Sequence, residues 1–461
     1  MKIFFKINTF LKNRQMKKLS SNLQFNFNPK LKDKNGFLMK KKSLILIFSI
    51  LSISILSIFL VFIIIPSSDN LQFYEWYKIR DEGGNDRGKS ICFDDNNSSV
   101  YIAGYSYYYD SQEFSPIIIQ YDRSGRNIWE FTWDQDDSCK AIAVDNESNL
   151  YVGGDRYDFV SGNSSFFLMK LNKSKQLEWG NLWGLGPYAN LNDIALDSKG
   201  NVYAIVRSDN LHILRKYDSN GAFLWEDSWV RHTSYISGKI DVDSAENVYV
   251  TGSSDDMMYL MKYNSTGDLE WLKTYGTVNK SIGSYDIVVD SWDNIYTCGF
   301  EYTRLSTLGS YTTDAFMAKF NASGVQIWNK TWGGSQYEEA HGVDVDSNGY
   351  LYITGYTTSF EYQKLFVLKY SAEGIKKWSN ALDISVEDYG SDILVNSIGE
   401  IYVVGNTYTI SGGTNILTVK MSSEPPPSLI HGYEAFPLLL IGIVTIIIVG
   451  FNKMRAYKIK R

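Results

Sequence analysis

One phrase recurs seven times in this chain, and it limits the fold more than any other feature of the 461 residues. Each copy holds an apolar run ending in an acid, a turn, and a second apolar run marked by Tyr and Gly. The acids are Asp94, Asp145, Asp197, Asp243, Asp290 and Asp346, with Asn396 in the last copy. The tyrosines Tyr101, Tyr151, Tyr203, Tyr249, Tyr296, Tyr352 and Tyr402 follow six residues later, or seven in the first copy. A Gly stands three residues beyond the Tyr in every copy but the third, which has Val206. Farther on, a run ends in Lys170, Lys216, Lys262, Lys319, Lys369 or Lys420, with Gln120 in the first copy. Nine residues after that position lies Trp129, Trp179, Trp225, Trp271, Trp328 or Trp378. Chance does not hold a nine-residue gap through six copies.

Each copy contains four short segments rich in Val, Ile, Tyr and Phe. Examples are Asp193 to Asp197, Asn247 to Gly252, Phe316 to Phe320 and the stretch around each Trp. Ser-x-Gly turns separate them, so they read as strands. Four strands in a repeat of 46 to 57 residues make one blade of a propeller. The rungs of a β-helix are shorter, and independent sandwich domains need about 100 residues each. The expected fold is therefore all-β: a seven-bladed β-propeller of four-stranded antiparallel blades. The last copy stops at Lys420 without its Trp segment, while an orphan segment with Trp76, Leu71 to Arg80, precedes the first copy. This orphan is expected to complete the last blade and remove the free sheet edges.

The units W…GG…D…VDSNGYLYITGYT…KYSAEGIKKW resemble the seven-bladed propeller repeats called SBBP repeats, with Trp328 to Trp378 as the cleanest copy. The resemblance covers about 71–423, three-quarters of the chain. A weaker likeness extends to the Trp-docked blades of quinoprotein-like propellers. The family resemblance implies the fold and a cell-surface setting, and it implies no settled activity.

The ends differ from the repeats. Ser43 to Ile65 is 23 residues without a charge, preceded by Lys40, Lys41 and Lys42, and reads as a transmembrane signal anchor. A cleaved signal peptide is the competing reading, but no A-x-A-like site follows. Ala435 to Phe451 is a second apolar segment of 17 residues, followed by Lys453, Arg455, Lys458, Lys460 and Arg461. It resembles the C-terminal anchors of archaeal surface proteins. Basic flanks stay inside, so the expected order is a basic cytoplasmic N-terminus (1–42), an anchor (43–65), an extracellular propeller (71–423), a Pro-containing spacer (424–434), a transmembrane helix (435–451) and a basic cytoplasmic tail (452–461). Met39 is an alternative start. The span 43–451 holds 28 basic and 50 acidic residues, a net charge of about −22, which argues against nucleic acid as a partner. Nine N-x-S/T sequons lie between the apolar segments, at Asn96, Asn97, Asn146, Asn163, Asn172, Asn264, Asn279, Asn321 and Asn329, and agree with export and glycosylation. Cys92, Cys139 and Cys298 show no metal or redox spacing, and their odd count leaves a thiol free.

The repeated residues are structural, so a site is sought where the copies differ. The connection from second to third strand varies most, and variable loops on a rigid scaffold carry binding. Blade one offers Tyr105, Tyr107, Tyr108, Tyr109 and Phe114, blade five Tyr302, Arg304 and Tyr311, and blade six Phe360 and Tyr362. Exposed Tyr gives contact area at low entropic cost. The plain alternative is that these rings pack over the blade ends. Asp344, Asp346 and Asn348 resemble a short calcium loop but lack its closing acid, so turn capping is the reading and no metal or cofactor is expected. His341 beside Glu338 and Glu339 is the one histidine placed to face a channel, and no catalytic motif accompanies it. The function expected is non-catalytic binding or scaffolding for an extracellular protein or glycan. The alternative is a propeller enzyme, a quinoprotein-like dehydrogenase or a polysaccharide lyase, which needs charged residues concentrated in the channel.

Overall fold

The computed structural model describes residues 74–422 and 424, less short stretches at 134–135, 159–160, 187–188, 209–210, 231–235, 255, 278–279, 305–310, 335, 361 and 410–412. Both apolar segments, both basic ends, the spacer beyond 424 and the sequon Asn279 lie outside the described residues. Among the described residues no helix is long and apolar enough to cross a membrane.

The described strands, β1 to β28 in chain order, form seven antiparallel sheets of four. Blade one is β2 (Asn85–Asp94), β3 (Ser99–Tyr108), β4 (Glu113–Asp122) and β5 (Asn127–Thr132). The innermost strands of the next six blades are β6 (Asp137–Val144), β10 (Ala189–Leu196), β14 (Ile236–Val242), β18 (Lys280–Val289), β22 (Glu338–Val345) and β26 (Glu387–Val395). Blade seven continues with β27 (Ile401–Tyr408) and β28 (Thr414–Met421), and its outer strand is β1 (Tyr74–Arg80). The orphan N-terminal segment thus takes the place expected of it. Its register settles the equivalence: Trp76 pairs with Lys420 just as Trp129 pairs with Gln120 and Trp271 with Lys262. Tyr74 pairs with Met421, so the described chain leaves the ring at adjacent points on one face. That face also carries the tight first-to-second and third-to-fourth turns.

Each conserved element of the repeat has a physical task. An Ile or Val of every inner strand, from Ile91 and Ile142 to Ile393, is buried between blades. The repeat Tyr is buried, and in blades two to six it donates its hydroxyl to the turn acid six residues before it, as Tyr203 does to Asp197 Oδ2 at 3.3 Å and Tyr249 to Asp243 at 3.1 Å. The same acid accepts the N–H groups two and four residues on, a side-chain cap that satisfies the turn. The repeat Lys lies over that ring, Lys216 at 4.6 Å from the Tyr203 centroid. In blade seven Asn396 caps the turn and Glu400 takes the Tyr402 hydroxyl. Asp346 likewise caps its own turn, while Asp344 bonds the neighbouring blade, so the two acids of that sequence do separate work.

The repeat Trp docks on the third-to-fourth turn of the next blade. Trp179 Nε1 donates to Ser219 O at 3.0 Å and Trp328 Nε1 to Ala372 O at 2.9 Å. The turn glycine lies under the ring, and Gly267 has φ +92° with Trp225 only 2.8 Å from where a Cβ would stand. Gly267→Ala is expected to cost about 1–3 kcal/mol, from the left-handed backbone and the displaced indole together. A lower urea midpoint at constant m-value reads this out.

One junction departs from the pattern. Blade one has Gln120 for the repeat Lys, and the turn of blade two has Lys175, at φ 64°, where other turns have Gly. Lys175 Nζ sits 4.4 Å from the Tyr101 ring centroid. The cation over the tyrosine is retained, delivered from the adjoining blade. Cys139 and Cys298 are buried and all three thiols are free. Asn172, Asn264 and Asn321 cap third-to-fourth turns through Oδ1, so turn chemistry accounts for those three sequons. Asn96, Asn97, Asn146, Asn163 and Asn329 are exposed.

Candidate functional site: the hairpin face and the channel mouth

The face opposite the chain ends carries the second-to-third connections. They were expected to be loops, and in blades one and five they are strands. β3 and β4 stay paired out to Tyr108 and Glu113, leaving only Tyr109 to Gln112 as the turn. In blade five β19 (Ile295–Arg304) and β20 (Tyr311–Phe320) stay paired out to Arg304 and Tyr311. The reason is local: alternating Tyr and Thr favour extended pairing over a loop. The added length makes a raised hairpin.

On the blade-one hairpin the sequence-predicted aromatics form one cluster. Tyr107 contacts Phe114 at 4.8 Å and Tyr109 at 5.1 Å between ring centroids, and Tyr105 contacts Phe114 at 5.4 Å. Tyr109 is 73% exposed, and Tyr108 is partly buried. Phe360 and Tyr362 of blade six are exposed at the same face, and Tyr302 of blade five is partly buried. The side chains of Arg304 and Tyr311 lie outside what the structure describes. Blades five and six stand apart from blade one across the ring, so ten candidate residues resolve into one aromatic cluster and separate outliers.

The channel differs from its sequence-based expectation. The repeat residues set no charge in the channel, and the inner strands nevertheless carry many charged residues. Five aspartates and Lys239 line the middle and lower levels. Three of the aspartates, Asp241, Asp344 and Asp392, share one geometry, illustrated by Asp344: Oδ1 accepts the N–H of its own neighbour Val345 at 2.7 Å, and Oδ2 accepts Val395 N–H of the next blade at 2.6 Å. Asp241 clasps Val289, Asp286 clasps Val343, Asp392 clasps Ile91 and Asp193 clasps Ile240, at 2.7, 2.8, 3.0 and 3.2 Å. Ser90 at 3.4 Å from Ile142 N and Asp155 at 2.6 Å from Leu191 N serve the two remaining junctions. Every blade junction thus has a side-chain acceptor for a backbone N–H of the next inner strand. Burial pushes the carboxyls of Asp241 and Asp344 up to about 7 and that of Asp392 up to about 6. Burial opposes the Lys239 ammonium, but Asp193, 3.3 Å away, together with Asp286 and Asp392, outweighs it and holds the charge. Asp344 was read as a turn cap and instead joins two blades, and the other acids escaped the sequence reading because they stand two residues or more before the conspicuous turn acid. The doubled acids of Asp241–Asp243 and Asp344–Asp346 were the available signal.

Toward the hairpin face the mouth has two unlike sides. Lys89, Lys140 and Arg87 gather on blades one and two. Lys89 and Lys140 lie 5.9 and 5.2 Å from the Tyr105 centroid, Lys140 is 3.5 Å from Asp155, and Arg87 donates to the Tyr389 hydroxyl. Across the channel His341 stacks on Tyr285 at 4.5 Å and is 3.5 Å from Glu339, which accepts the Tyr285 hydroxyl at 3.2 Å. Burial raises the Glu339 carboxyl, but the His341 and tyrosine hydrogen bonds prevail and hold it below its usual range. Glu338 faces elsewhere, accepting Gly334 N–H, Thr357 and Ser359. Among the described residues no group of three or more His, Cys, Asp or Glu is arranged to hold a metal.

Ring closure, blade count and strand order define a seven-bladed β-propeller. Residues 332–361 match the family model described as SBBP, beta-propeller repeat, in agreement with the repeats and the seven-bladed ring. No curated protein sequence matches the chain. Among solved structures it is similar to an ulvan lyase of a polysaccharide lyase family, at 11% identity and TM-score 0.50 over 74% of this chain and 95% of that one. It is also similar to the β-propeller domain of the trilobed protease from Pyrococcus furiosus, at 8% identity and TM-score 0.43 over 78% and 99%. The periplasmic gluconolactonase of Pseudomonas aeruginosa gives 9% identity and TM-score 0.44 over 64% and 84%. At such identities the likeness concerns the fold alone.

Proposed function

We propose that this propeller is a membrane-anchored recognition module, holding the hairpin face outward to bind an extracellular protein or glycan. The observation that carries the reading is the placement of the aromatic hairpin of blade one, with exposed Tyr109 resting on partly buried Tyr107 and Phe114 beside it, opposite the face where the described chain enters at Tyr74 and leaves at Met421. The segments 43–65 and 435–451, read as membrane anchors, adjoin the strands β1 and β28 in sequence, with eight residues intervening before Tyr74 and thirteen after Met421. The hairpin face is then the one open to the surroundings, and both basic ends are cytoplasmic. Rigid aromatic side chains on a raised β-hairpin lose little entropy on contact.

The test is a screen of the intact chain against a glycan array and a cell-surface extract, beside Tyr109→Ser/Phe114→Ser. Binding is expected to fall at least about tenfold in the double variant while the melting curve stays cooperative. Undiminished binding by a folded variant would remove the hairpin from the site. A catalytic reading has the His341–Glu339–Tyr285 cluster in its favour; in the same screen it would return glycans shortened rather than retained.

A further inference from the structure

We propose that the channel mouth between blades seven, one, two and three binds a polyanionic carbohydrate, a chain bearing carboxylates or sulfates, through Arg87, Lys89, Lys140 and Arg207. The proposal rests on the recognition reading above and names a ligand class for that face.

Several inward ammoniums elsewhere meet a carboxylate, as Lys239 has Asp193 at 3.3 Å and Lys170 has Glu178 at 3.0 Å, while Lys175 and Lys319 each lie singly over a repeat Tyr. At the mouth the partners are mainly neutral rings. Lys89 lies over Tyr105 with no carboxylate within ion-pair distance, and Arg87 is held by the hydroxyl of Tyr389 with its guanidinium 6.0 Å from that ring. An aromatic ring fixes a cation in place and leaves its charge uncompensated. Four cations here share one nearby carboxylate, Asp155, which is already engaged by Lys140 and by Leu191 N–H. The cations come from three blades, since Arg207 pairs with Asn190 on blade three and acts electrostatically on both Lys140 and Asp155.

The cost of this arrangement shows at Lys89. Burial, then repulsion from Lys140, Arg87 and Lys239, opposed only weakly by Asp155, lowers its ammonium to about 7. A buried charge without a counter-ion is unfavourable. An anion entering the mouth would supply the counter-ion and restore the proton.

The choice of carbohydrate over a denser polyanion follows from the surroundings. The span between the apolar segments has a net charge of about −22, with 28 basic and 50 acidic residues, and the far side of the mouth presents Glu339. A uniformly charged polymer such as nucleic acid would meet that acid and the acidic body around the site. A sugar chain with anionic groups spaced by uncharged rings places charge on the cationic side, and hydroxyls and ring faces against Tyr285 and Tyr356.

The test titrates the intact protein with oligogalacturonate, with heparin oligosaccharides, and with neutral dextran of equal length, by calorimetry at low and moderate salt. The structure predicts binding to one or both anionic series, none to dextran, and weakening with salt. Lys89→Gln/Lys140→Gln should weaken binding at least about tenfold. Lys140→Gln leaves Asp155 without its ion pair and should lower the melting temperature, so Lys89→Gln alone and Arg207→Gln give further readings if the double variant does not fold. Affinity should rise between pH 8 and pH 6 as Lys89 takes up its proton. Preference for galacturonate assigns a carboxylated chain, and preference for heparin a sulfated one. Absence of binding to both, equal binding by the folded Lys variant, or tighter binding of single-stranded DNA or polyglutamate would overturn the proposal. The recognition reading fails separately, if Tyr109→Ser/Phe114→Ser leaves capture from the surface extract unchanged.

Discussion

Removal of residues 71–80 abolishes the cooperative unfolding transition and leaves an aggregating chain. Without β1, strand β28 becomes an edge whose eight residues, Thr414 to Met421, are all buried in the intact ring. An exposed apolar edge of that length templates association. The same strand joins the last blade to the first. Trp76 Nε1 donates to Arg123 O at 3.0 Å, its ring contacts Tyr121 and Tyr402 near 6 Å, and Arg80 reaches Glu130 at 2.8 Å. Trp76→Ala keeps the backbone ladder and tests the docking alone, with an expected loss of about 2–4 kcal/mol. An unchanged melting curve after the deletion would refute closure by this strand.

The second large effect is expected from Asp344→Ala. Its carboxylate receives two backbone N–H groups from two blades, and alanine would leave both buried donors without an acceptor. At about 1–3 kcal/mol for each, the loss is about 2–5 kcal/mol by chemical denaturation. The same residue shapes the pH dependence. Its pKa is raised by burial to about 7, as is that of Asp241, so the folded state binds more protons than the unfolded state between about pH 4 and 7. Stability therefore falls as pH rises through that window and levels off above it. Glu400 acts oppositely: burial would raise it, but hydrogen bonds from Arg123 and Lys420 hold it at about 2, and its contribution disappears as pH falls below about 4. Melting temperatures between pH 4 and 8 should peak on the acid side, and the slope from pH 5 to 7 should be shallower in Asp344→Ala. A peak above pH 7 would contradict the buried-carboxylate account.

Blade number, strand order and ring closure were all legible because the repeat marks them with large residues at fixed spacing. Trp and Tyr pack between blades and tolerate little substitution, so they survive in each copy. The clasping aspartates were not legible in the same way. They alternate between two levels, since Lys239 and Gly342 occupy the upper position in blades four and six and the acid moves down to Asp241 and Asp344. A role that shifts by two residues leaves no fixed column. The cation cluster at the mouth was missed for a related reason: Arg87, Lys89, Lys140 and Arg207 belong to three blades and meet only when the ring closes. Tyr105 was singled out as an exposed contact residue, whereas its ring is turned to the channel to hold two ammonium groups. Tyr109 is exposed at the hairpin tip, as a run of tyrosines beside a turn suggests, while Phe114 is partly buried against Tyr105 and Tyr107.

The central claim is that ligand meets the hairpin face. The most direct measurement is hydrogen exchange of the intact protein with and without whichever glycan or surface protein the screen retains. The account predicts slowed exchange in 102–118 and in the upper ends of β2 and β6, with the third-to-fourth turns at 122–126 and 218–222 unchanged. Protection confined to those turns would place the ligand on the face of the chain ends and contradict the account.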